Sequence, residues 1–134
     1  MSTLLLNTLT GKTSAGSIVV TGEGGSTTTN MQQGLIKQWV HFEGNAADLD
    51  TGNYDSFNTA SLTDNGNGDY DVTITNDMAS AFYAIARLCS TNRVNTTDSN
   101  TMTAGSYNIE TKSTYDNSAG DTSESMLMVA GDLA

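Results

Sequence analysis

The chain has 134 residues, about one domain's worth, and Thr, Ser, Asn and Gly supply 61 of them. Five Lys plus Arg stand against 15 Asp plus Glu, giving a formal net charge of −10, with no proline, one Cys (Cys89) and one His (His41). These figures exclude a basic nucleic-acid face, a Cys/His metal cage and an intrachain disulfide framework, and no apolar run is long enough for a membrane-spanning helix.

The opening Met1-Ser2-Thr3-Leu4-Leu5-Leu6-Asn7 has neither the basic n-region nor the long apolar h-region of a secretory signal. Residues 1–36 hold two short apolar runs, Leu4-Leu5-Leu6 and Ile18-Val19-Val20, set among Gly, Ser and Thr. The stretch Gly22 to Asn30 has the composition of an extended connector. Such a segment cannot bury a core of its own.

Strand signals become dense from Lys37. Lys37 to Glu43 places Val40 and Phe42 on one face and Trp39 and His41 on the other. A strand over Ser56 to Thr63 carries Phe57 and Leu62. Asp69 to Thr75 alternates, with Tyr70, Val72 and Ile74 facing one way. Between these two runs, Asp64-Asn65-Gly66-Asn67-Gly68 reads as a hairpin turn, because Asn and Gly accept positive φ. Ala81 to Ser90 is apolar on both faces, as a strand covered on both sides would be. Its competitor is a helix over Asn76 to Leu88, opposed by the β-branched and aromatic neighbours and the missing C-terminal cap. Residues 91–105 read as a long exposed loop, and Ser106 to Thr114 and Glu124 to Ala130 complete the set.

The expectation is an all-β fold, a small antiparallel β-sandwich or jelly-roll-like domain over residues 37–134 with six or so strands. Thr and Asn on half of each strand leave its apolar core thin. Association through leftover apolar surface is the simplest remedy, so a homo-oligomer is expected. Trp39, Val40, Phe42, Phe57, Tyr70, Val72 and Ile74 are the candidate core or subunit-interface residues.

Chemistry is sparse. The 11 Asp and 4 Glu sit mostly in predicted turns, where carboxylates are solvated rather than paired for acid–base work. His41 lies mid-strand beside Trp39, where a packed or intersubunit role suits it better than a general base. Cys89 reads as a small buried hydrophobe. The loops Asp48 to Asp55 and Asp64 to Asp69 miss the EF-hand order of oxygen ligands. Gly22-Glu23-Gly24-Gly25-Ser26 lacks the Gly-Lys-Ser/Thr ending of a phosphate loop and puts Glu23 where the anion would sit. No enzyme, metal or cofactor is expected. Tyr107 and Tyr115, near late polar segments, are candidates for glycan contact.

Three blocks in order carry a resemblance: Lys37-Gln38-Trp39-Val40-His41-Phe42-Glu43-Gly44, then Asp55-Ser56-Phe57-Asn58, then Leu62-Thr63-Asp64-Asn65-Gly66-Asn67-Gly68-Asp69-Tyr70. Together with Val72 to Met78, the Ala-Phe-Tyr-Ala run and the ending Leu127 to Ala134, they resemble a module of marine and cyanobacterial bacteriophage structural proteins. The chain departs from that pattern at Ala79, where a proline often stands, and residues 91–123 are unlike it. The resemblance implies a virion protein of tail-fibre type, assembled in the host cytoplasm, with trimers usual. It implies residues 1–36 as an extended virion-anchoring arm through Leu4, Leu5, Leu6, Ile18 and Val20, docked on other tail or capsid proteins. Residues 91–123 would then be outer loops, with Asn95, Asp98, Asn100, Tyr107 and Tyr115 as candidates for contact with the host surface, including its glycans. The short length keeps a capsid decoration or head-fibre protein as the rival expectation, and a glycan-degrading enzyme or stand-alone carbohydrate-binding module as further ones. Neither nucleic acid nor an inserted membrane is expected as a partner.

Overall fold

Alternating apolar and hydroxyl-bearing side chains, punctuated by Asn and Gly, fold into β structure throughout the computed structural model, which describes residues 3–12, 18–46, 52–90, 92–97 and 101–134. The chain divides into two compact units, residues 1–35 and 36–134. In the first, β1 (Val19–Thr21) and β2 (Thr28–Asn30) pair as an antiparallel hairpin. Its turn is closed by the Gly22 N–H on the Thr27 carbonyl at 2.8 Å, with Gly25 at φ 73°. Leu4, Leu5, Leu6 and Val20 are exposed, and Ile18 is half-buried.

The second unit contains eight strands among its described residues: β3 (Ile36–Phe42), β4 (Asn53–Phe57), β5 (Thr59–Gly66), β6 (Asp69–Ile74), β7 (Ala84–Cys89), β8 (Arg93–Thr96), β9 (Ser106–Ser113) and β10 (Ser125–Ala130). They form two four-stranded antiparallel sheets, ordered β4-β3-β10-β7 and β5-β6-β9-β8. One apolar cluster draws on both sheets. Val40, Phe42, Leu127 and Val129 come from the first, and Leu62, Tyr70, Val72, Ile74, Tyr107 and Ile109 from the second. Phe42 and Tyr70 meet edge to face at 5.4 Å, a favoured aromatic geometry.

Polar side chains fill the rest of the interior. Gln38, Asn95, Thr111, Thr122 and Ser125 are all buried. The Tyr107 hydroxyl donates to Gln38 Oε1 at 2.9 Å, and Gln38 Nε2 donates to Thr59 Oγ1 at 2.7 Å, which ties β9 to β3 and β5. Thr111 Oγ1 donates to Asn95 Oδ1 at 3.0 Å, so the buried amide is held from the neighbouring strand. Paired in this way, the groups avoid the penalty of an unsatisfied buried dipole.

The three sequence blocks that carry the resemblance lock this arrangement. Asn58, at φ 57°, turns the chain from β4 in one sheet into β5 in the other. Its Nδ2 reaches the carbonyls of Lys37 (2.9 Å) and Asn76 (3.2 Å), and its Oδ1 accepts the Asn76 N–H at 2.8 Å. The single strand expected over Ser56 to Thr63 is therefore two strands, broken where Asn tolerates the left-handed conformation. In the β5–β6 hairpin Asp64 Oδ1 accepts the Gly66 N–H at 2.9 Å, and Gly66 and Gly68 take φ of 132° and 74°. Tyr70, next along, aims its hydroxyl at the Gly44 carbonyl (2.9 Å) and Asp121 Oδ1 (3.0 Å).

Three more expectations are corrected. β7 is an edge strand with Ala84, Ala86 and Leu88 exposed, not a strand covered on both sides. Residues 91–105 are not one loop, because β8 pairs with β9. Asn95 and Tyr107 lie in β8 and β9 with buried side chains, not on surface loops. Periodicity records which side chains alternate, not which strand ends up at an edge.

Candidate functional site

The outward side of sheet β4-β3-β10-β7 is the unusual surface of the second unit. Register places Phe57, Trp39, Met128 and Ala86 in one row across the four strands. The next row is Asp55, His41, Met126 and Leu88. Leu88 is 61% exposed, Phe57 54% and Met128 50%, while Trp39, His41 and Met126 are half-buried. These rows border a groove of about 350 Å³ lined by Trp39, His41, Ala86, Leu88, Met126 and Met128. β10 produces it by being apolar on both faces: Leu127 and Val129 point inward, leaving Met126 and Met128 outside.

His41 packs edge-on against the Tyr54 ring at 4.8 Å, and its buried Nε2 has no hydrogen-bond partner among the described residues. The Tyr54 hydroxyl donates to Glu43 Oε2 at 3.1 Å, a bond that raises its pKa above the ordinary phenol value. Asp55 is the one carboxylate in the two rows, whereas Arg87 pairs in register with the inward-facing Leu127 and its guanidinium donates to Thr97 Oγ1 at 2.7 Å.

The outward side of the other sheet is different in kind. Asp69, Asp71 and Thr73 on β6 stand beside Asn108, Glu110 and Lys112 on β9. Asn108 Nδ2 bridges Asp69 Oδ1 (2.6 Å) and Asp71 Oδ1 (2.9 Å), and Lys112 pairs with Glu110. Among the described residues no group of three or more His, Cys, Asp or Glu is arranged to hold a metal ion.

Comparison with protein-family models, curated proteins and solved structures finds no match. The arrangement of side chains therefore carries the functional reading.

Cys89, half-buried at the end of β7, has its thiol pushed up by burial, which opposes thiolate chemistry. Val40, Phe42, Tyr70, Val72 and Ile74 face the shared core, whereas Trp39 and Phe57 belong to the outward apolar rows. Asp98 and Asn100 lie outside the described residues, as do Asp48 and Asp50 of the first acidic loop. Of the candidates for surface contact, Tyr115 is displayed at 81% exposure, its hydroxyl donating to Asn92 Oδ1 at 3.2 Å. Beside it the Ser118 and Ser113 hydroxyls hold the Asp116 carboxyl down at about 2, and Asn117 at φ 59° completes the bend. Phe82, at 95% exposure, is a second displayed ring, and it precedes β7 rather than lying in a covered strand. The signal for the apolar face was present in Met126, Met128, Ala86 and Leu88. Strands apolar on both sides need two covers, and the fold supplies one.

Proposed function

We propose that this chain is a non-enzymatic bacteriophage virion protein of tail-fibre type, a trimeric β-sandwich subunit. In this reading residues 1–36 attach it to other virion proteins. The observation that carries the reading is the apolar outward face of sheet β4-β3-β10-β7, since exposed apolar rows bordered by polar surface mark association sites. The module resemblance over residues 34–90 supports the bacteriophage assignment, and the exposed Leu4, Leu5 and Leu6 suit an anchoring role. Host contact falls to the bend around Tyr115 rather than to Asn95 or Tyr107, which the core consumes. Imaging of the particle that contains this chain tests the proposal. Density at the tail agrees with it, density on the capsid replaces it with the decoration reading, and absence from the particle refutes both. Deleting residues 1–36 is expected to abolish incorporation, and unchanged incorporation would remove the arm from the account.

A further inference from the structure

We infer that the outward side of sheet β4-β3-β10-β7 holds a site for a soft monovalent cation, Cu(I), with Met126, Met128 and His41 as its ligands and the Trp39 ring against it. The inference does not rest on the virion reading above. Strand register brings the four side chains together. Met126 stands opposite His41, and Met128 opposite Trp39, on the paired strands β10 and β3. Residues directly opposite each other have Cβ atoms about 5 Å apart, and residues two apart along a strand are separated by about 7 Å. All four side chains line the same groove of about 350 Å³. A methionine side chain is unbranched and turns about three bonds, so both thioethers can reach a common point beside the imidazole.

The donor set decides the ion. Thioether sulfur is soft and selects Cu(I), and imidazole suits copper as well, whereas Mg²⁺ and Ca²⁺ need several oxygens. The two rows offer one carboxylate, Asp55, whose Oδ1 accepts the Ser56 N–H at 2.8 Å. Low charge matters too. A monovalent ion among neutral ligands in an apolar groove loses less hydration than a divalent one. Neither row contains a Lys or Arg to repel it, and a chain of net charge −10 attracts cations. Trp39 adds a cation–π attraction, which is strongest for indole. His41 supplies the independent sign of a ligand. Its buried Nε2 has no hydrogen-bond partner among the described residues, and a bound ion is one way such an atom is satisfied.

The test is titration of the full chain with Ag(I), a redox-stable stand-in, and with Cu(I) under anaerobic conditions. Cys89→Ala serves as the parent, because it removes the one thiol that competes for a soft ion. Trp39 and His41 are the only Trp and His in the sequence, so indole fluorescence and imidazole NMR resonances each report on a single side chain. Both signals are expected to change together and to saturate at one ion per chain. Met126→Leu and Met128→Leu conserve volume on the outward side, so the fold is expected to survive, as circular dichroism checks. Each is expected to weaken binding by at least about a hundredfold, the upper range for losing a group that only orients a ligand. Met102→Leu, outside the groove, is expected to leave binding unchanged. If Met126→Leu does not fold, Met128→Leu decides. Fluorescence and imidazole signals that ignore both ions, or Met→Leu variants that bind as tightly as the parent, overturn the inference, the latter showing an adventitious ion only. Zn(II) is expected to leave both signals unchanged at the same concentrations, and equal binding of Zn(II) overturns the assignment to a soft monovalent cation. Failure of metal binding leaves the proposed virion role standing, since that role is read from the particle.

Discussion

Tyr107→Phe isolates one buried hydroxyl whose loss the structure makes costly. Tyr107 is 1% exposed and Gln38 is fully buried, and their 2.9 Å bond crosses from one sheet to the other. Removing the hydroxyl leaves Gln38 Oε1 in an apolar interior without that partner, while Gln38 Nε2 remains held by Thr59. An unsatisfied buried acceptor costs about 1–3 kcal/mol. For a unit of this size that lowers Tm by roughly 5–20 °C. Gln38→Met alone strands the Tyr107 hydroxyl instead, at a similar cost. The double variant removes both polar ends, so it is expected to recover about 1 kcal/mol or more relative to the sum of the singles. Urea unfolding followed by Trp39 fluorescence, at one fixed protein concentration because association shifts apparent stability, gives the three values. A loss below about 0.5 kcal/mol for Tyr107→Phe, or strict additivity in the cycle, would refute a paired polar bridge through the core.

Gly44→Ala tests the close approach beneath Tyr70. A Cβ there would lie 2.5 Å from the Tyr70 hydroxyl and 3.1 Å from the Thr122 carbonyl, so a loss of about 1–3 kcal/mol is expected in the same unfolding assay. Asn58→Gly keeps the left-handed conformation but removes the side-chain bonds to Lys37 and Asn76, and Asn58→Ala removes both. The alanine variant is expected to lose about 1 kcal/mol more than the glycine variant. Burial raises the pKa of Tyr70, Tyr107 and Tyr83, the last to about 12. Because the fold favours the protonated phenols, their contribution is intact below the unfolded value near 10 and falls above it. Stability is expected to drop by about 1.4 kcal/mol per pH unit for each such tyrosine, and a flat profile between roughly pH 10 and 12 would contradict it.

Where burial follows period-two alternation, the fold was legible. Tyr70, Val72 and Ile74 turn inward as their spacing demands, and so do Val40 and Phe42. The hairpin at Asp64 to Gly68 forms where Asn and Gly allow positive φ. Asn95 was illegible because hydrogen bonding rather than hydropathy buries it, through Thr111, Ser125 and the Leu88 carbonyl. The burial of Tyr107 is hidden by its polar neighbours, although Ile109 two positions on shares its inward face. The apolar face was half legible. An apolar β10 and β7 announce surface needing cover, but only the sheet order shows that Trp39, Met128 and Leu88 share one outward side. The thin core expected from the Thr and Asn content is thickened by Gln38, Asn95 and Thr111, which serve inside the fold as hydrogen-bonded filling.

The claim that this chain is built to be one subunit among several is tested most directly by its mass in solution. Sedimentation equilibrium of the full chain, from low micromolar to near-millimolar concentration at physiological salt, is predicted to give a single species at three times 14.1 kDa. A chain that remains at 14.1 kDa over that whole range, with its apolar sheet face still open to solvent, would contradict the account.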